Sequence, residues 1–95
     1  MVTAIVHIKA DVDRIPEVAQ TVAELDGVSE VYSITGEYDL LAMIRVRRYE
    51  EIAEVVPGRI NKVPGVLQTE THIAFRTYSR HDLDAAFSIG LTEAD

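Results

Sequence analysis

Two short stretches constrain this chain more than any others: Leu25-Asp26-Gly27-Val28 and Val63-Pro64-Gly65-Val66. Each closes a segment of helical spacing and opens a segment of strand spacing, so the sequence reads as two similar halves. In the first half, Val2 to Ala10 alternates. Val2, Ala4, Val6 and Ile8 fall on one face, and Thr3, Ile5, His7 and Lys9 on the other. Ile15, Val18, Ala19, Val22 and Leu25 then recur at helical spacing, with an aspartate ahead as the expected N-cap, Pro16 in the tolerant first turn and Gly27 suited to a left-handed C-cap. In the second half, a helix is expected from Tyr49 to Val63 with Ile52, Ala53, Val56, Ile60 and Val63 on its apolar stripe. Pro57-Gly58 should kink or split it near Val56.

Each half is thus strand, helix, strand, and the whole is βαββαβ. Right-handed crossovers fold this order most simply into a ferredoxin-like α+β domain, a four-stranded antiparallel sheet with both helices on one face. The other face then lacks a cover. Strand three presents Leu40, Ala42, Ile44 and Val46 on one side and Leu41 and Met43 on the other. Strand four is expected to place Leu67, Ile73 and Phe75 opposite Val66 and Ala74. Apolar patches of this size seldom stay in water, so two sheets are expected to pack face to face across a two-fold axis as a dimeric α+β barrel. The domain is taken as 1–79, with 80–95 as a tail or a short helix.

Composition narrows the function. Nine basic against sixteen acidic residues give a net charge of −7, which opposes direct binding to nucleic acid. The densest basic group, Arg45, Arg47 and Arg48, is followed at once by Glu50 and Glu51 and reads as a solvated flank. Without cysteine there are no disulfides, zinc–thiolate sites or thiol nucleophiles. No apolar run reaches membrane-spanning length and the N-terminus enters a strand at once, so a soluble cytoplasmic protein is expected. His7, His72 and His81 lack HxH or HExxH spacing and read as satisfied or solvent-facing, with no metal site. No P-loop, GxGxxG or GxSxG pattern appears, so neither a cofactor nor an enzyme signature is expected.

The candidate site is the hairpin loop between strands two and three. Gly36 permits positive φ and leaves backbone amides free to face a carboxylate. Asp39 can accept from an ammonium or cap the turn's own amides, and Tyr38 offers a flat apolar wall with a polar tip. Those are the groups a free α-amino acid requires, and a plain turn would use the same residues. Thr69 and Thr71 on strand four have either β-propensity or a hydroxyl contact to a ligand as their reason.

From Gly27-Val28 through Thr35-Gly36-Glu37-Tyr38-Asp39-Leu40-Leu41, then Val63-Pro64-Gly65-Val66 and Thr69-Glu70-Thr71, the chain resembles the effector-binding (RAM) domain of the Lrp/AsnC regulators. The resemblance spans about Thr3 to Tyr78. It implies the fold above, dimers joined through their sheets, rings that are commonly octamers, and small effectors bound between dimers. It assigns ligand contacts to Gly36, Tyr38 and Asp39, and to Thr71 with Thr69 from a partner's strand four. His72 lies beside them as a modifier of ligand preference. Full members carry a helix-turn-helix for which this chain has no room. The resemblance is therefore to stand-alone effector domains that modulate transcription or amino-acid metabolism, with a full-length regulator as a co-assembly partner. The competing reading is a small dimeric cofactor-free monooxygenase using His7, His72 and Tyr38 for acid–base work.

Overall fold

The structure is a computed structural model and describes residues 1–78 and 80. The tail or short helix expected for 80–95, Arg80 apart, lies outside the described residues, as do Ser79 and His81. The order is β1 (Val2–Ala10), α1 (Ile15–Ala23), β2 (Val28–Ser33), β3 (Leu40–Val46), α2 (Glu50–Val55), a 3-10 turn (Ile60–Lys62) and β4 (Val66–Ala74). The strands form one antiparallel sheet in the order β2-β3-β1-β4, the ferredoxin-like arrangement.

Alternation in β1 and β3 sets the two faces. Ala4, Val6 and Ile8 pair with Ile44, Ala42 and Leu40, and all six are inaccessible beneath the helices. Val18 and Val22 of α1, Ile52 and Val55 of α2, and Ile60 of the 3-10 turn complete this core. Ile5, His7, Leu41 and Met43 lie on the opposite face and stay half-buried.

The paired turns are equivalent. Val28 N–H donates to Leu25 C=O and Val66 N–H to Val63 C=O, each at 3.1 Å. Gly27 and Gly65 hold the third position with φ of 92° and 99°, the conformation a type II turn assigns to glycine. Each turn also abuts the other half's helix. A Cβ on Gly27 would stand 2.6 Å from a Val55 methyl, and one on Gly65 would stand 2.7 Å from a Val18 methyl.

Four expectations change. No side chain caps α1. The Asp11 carboxylate instead accepts from Asp13 N–H at 3.1 Å, one turn upstream. The helix itself ends at Ala23, so Gly27 serves the turn and not a left-handed helix cap. The second helix does split at Pro57-Gly58, but Val55 is buried and Ala53 is exposed. In β4, a register shift between Lys9 and Ala10 sets Val66 opposite Ala10, on the covered face with Ile73. Leu67 and Phe75 are exposed, Phe75 beyond the end of the strand.

Candidate functional site

The hairpin loop is anchored at its base and open at its tip. Ile34 N–H donates to Asp39 C=O at 3.0 Å, and Asp39 N–H reaches across to Ile8 C=O at 2.9 Å. The Asp39 carboxylate accepts from Ala10 N–H at 2.9 Å, beside the register shift that ends regular β1 pairing. Asp39 therefore caps the neighbouring strand and not its own turn. Among the described residues, the amides of Thr35, Gly36, Glu37 and Tyr38 donate no hydrogen bond to the chain. Gly36 has φ 110°, and a Cβ placed on it would meet nothing within 4 Å, so the loop's crest is bare. Lys9 Nζ donates to Glu37 C=O at 3.1 Å and ties the loop down over β1.

Tyr38 leans across the open face of the sheet. Its ring lies 5.5 Å from the His7 ring, and its hydroxyl donates to Glu70 Oε1 at 3.2 Å. His72 Nε2 meets Glu70 Oε2 at 2.8 Å, and the His7 and His72 rings stand edge to face at 5.7 Å. The hydrogen bond from His72, reinforced by that from Tyr38, holds the Glu70 carboxyl below its usual range. Partial desolvation raises the Tyr38 phenol, and the charge of Glu70 adds to the effect.

The threonines lie elsewhere. Alternation puts Thr69 and Thr71 on the helix side of β4, opposite in face to Glu70 and His72. Thr69 Oγ1 hydrogen-bonds Asn61 Oδ1 at 2.7 Å. Thr71 lines a groove of about 580 Å³ between α2 and β4, with Ile52, Ala53, Val56, Pro57 and Ile73 as its apolar wall and Glu50 at its edge. Within one chain, then, Tyr38 reaches His7 and Glu70, and through Glu70 His72, on the open face, Gly36 and Asp39 stay in the loop at the sheet's end, and Thr69 and Thr71 lie on the other face. Sequence reasoning missed Glu70, which links Tyr38 to His72. Its two-residue spacing from His72 was the available signal.

The arginines of the basic group are largely engaged. Arg45 pairs with Glu30 at 3.1 Å and Arg48 with Glu51 at 3.6 Å.

A ferredoxin-like sheet with a bare glycine-centred loop at one end and a groove between α2 and β4 is the architecture of a ligand-binding domain family. The chain belongs to the Lrp/AsnC ligand binding domain family, whose pattern matches residues 3–83. It is similar to a crystallised protein of Thermus thermophilus, with 45% identity and a TM-score of 0.79, over 84% of this chain and all of that one. An uncharacterised HTH-type transcriptional regulator of Pyrococcus furiosus is 37% identical over 78 residues, 79% of this chain and 52% of the regulator. This chain thus spans about half the length of the curated relatives it matches. The fold also matches a feast or famine regulatory protein of M. tuberculosis solved with L-methionine, at 24% identity and a TM-score of 0.69, over 84% of this chain and 54% of that one. The family is a regulatory ligand-binding domain and not an enzymatic one, so the monooxygenase alternative is set aside. Among the described residues, no helix is long and apolar enough to cross a membrane.

Proposed function

We propose that this domain senses a free α-amino acid, held where the 35–38 loop of one subunit meets the α2–β4 groove of another. The observation that carries this reading is the loop itself. Four adjacent amides lack partners within the described chain, and Gly36 leaves room for a carboxylate to approach them. The groove supplies an apolar wall for the ligand's side chain and the Thr71 hydroxyl, and its volume suits a small ligand. The L-methionine complex of the mycobacterial relative supports the ligand class. Because loop and threonines lie on opposite faces of one sheet, the site needs at least two chains. The half-buried apolar groups of the open face favour a dimer through the sheets, from which an octameric ring is built. The net charge of −7 favours modulation without direct DNA contact, and the reading adds a cytoplasmic location and co-assembly with a full-length regulator.

Melting curves measured with each of the twenty amino acids test this. A ligand at about a hundredfold excess over its Kd adds about 2.7 kcal/mol of stability. Tyr38→Ala and Thr71→Val should each reduce the shift. If no amino acid raises the melting temperature of the wild type, the reading fails.

A further inference from the structure

The open face carries a second constellation that amino-acid sensing does not use. His7 on β1 and Glu70 on β4 are direct cross-strand partners, and His72 stands two residues further along the same face. One potential ligand atom from each lies within 4.8 Å of the other two. His7 Nδ1 is shut off from solvent and has no hydrogen-bond partner among the described residues. An unpartnered buried polar atom is uncommon and points to an ion or a water nearby. A simple Glu70–His72 ion pair leaves that imidazole unexplained.

The donor set has the chemistry of a zinc site. Two imidazoles and one carboxylate match a three-ligand centre with its fourth position left to water. Tetrahedral bonds of about 2.0–2.2 Å separate the donors by about 3.3 Å. The Glu70 Oε2–His72 Nε2 pair, at 2.8 Å, must open by about 0.5 Å, and no other donor pair need close by more than about 1.5 Å from the 4.8 Å limit. Glu70 and His72 have side chains 52% and 57% exposed, so simple rotations can supply that movement. Tyr38 already holds Oε1 of Glu70, leaving Oε2 on the His72 side. Orienting a ligating carboxylate through its other oxygen is what outer partners of metal sites do.

We propose that His7, Glu70 and His72 bind one divalent transition metal ion of the zinc type on the open face of the sheet. The ion would link β1 to β4 and, through Tyr38, fasten the hairpin loop. The site shares Tyr38 with the amino-acid reading but none of its three ligands with the loop amides or the groove, and titration without amino acids keeps the two tests separate.

The test uses the untagged full chain, stripped with a chelator, in buffer free of amino acids. Zinc is titrated by calorimetry and cobalt(II) by visible absorption. The expected result is one ion per chain, with the intense d–d bands of tetrahedral cobalt. His72→Gln and Glu70→Gln should each abolish those bands, and Tyr38→Phe should weaken binding by about tenfold. His7→Gln should also remove binding. Because His7 is half-buried, the exposed His72→Gln variant, with its fold checked by circular dichroism, decides the matter. No stoichiometric binding, or binding that survives both His72→Gln and Glu70→Gln, overturns the proposal.

Discussion

The two faces of this sheet are made from the same strands, yet they do different work. The covered face is aliphatic on β1 and β3, with Thr69 and Thr71 only at its β4 edge, and its central residues Ala4, Val6, Ile8, Leu40, Ala42 and Ile44 are fully inaccessible. The open face mixes Ile5, Leu41 and Met43 with His7, Glu70 and His72, and the Tyr38 ring lies over it. The centre of the first face is satisfied within the chain. The second has half-buried apolar groups and an orphaned imidazole nitrogen. Stability resides in the centre of the covered face, whose α2–β4 edge keeps an open groove, and association between chains is expected on the open face.

The largest expected break in this contrast is Ile44→Ala. It removes a fully buried side chain and should lower unfolding free energy by about 2–5 kcal/mol in urea titrations. Its counterpart across the sheet, Leu41→Lys, should leave the fold intact by circular dichroism and shift sedimentation toward the monomer. A variant that unfolds, or one that associates like the wild type, would undo the division of labour. Next comes Gly65→Ala, where a left-handed φ and a 2.7 Å approach to Val18 combine. A loss of about 1–3 kcal/mol is expected, again in urea. Asp39→Ala, which strips the cap from Ala10 N–H, should cost about 1 kcal/mol even without ligand. Smallest is Arg45→Ala, an exposed ion pair worth about 0–1 kcal/mol and weaker still in high salt.

Much of this could be read from the sequence because it is local. Strict alternation in β1 and β3 assigned their faces, the two Leu/Val-x-Gly-Val turns marked strand starts, and Pro57-Gly58 broke the second helix where expected. The misreadings share a physical cause, since each depended on a pairing made at a distance. Val66 changed sides because of a register shift against β1. Asp39 satisfied an amide 29 residues away in place of its own turn. His72 was set beside Thr69 and Thr71, although a strand sends adjacent residues to opposite faces. That His7 lies opposite Glu70 follows from the β1–β4 register, which no local pattern encodes.

The strand order also governs how the chain assembles as it is made. β1 is hydrogen-bonded to β3 and β4 and never to β2, its neighbour in sequence. While only the first half has left the ribosome, β1 and β2 are two unpaired ribbons with α1 between them. Leu40 to Val46 must emerge before either gains a partner, and Val66 to Ala74 must follow before β1 is enclosed on both edges. Such late, long-range closure slows folding and leaves an apolar strand edge open to other chains in the interval. For a domain proposed to associate with copies of itself, neighbouring nascent chains on one messenger are the partners nearest to hand.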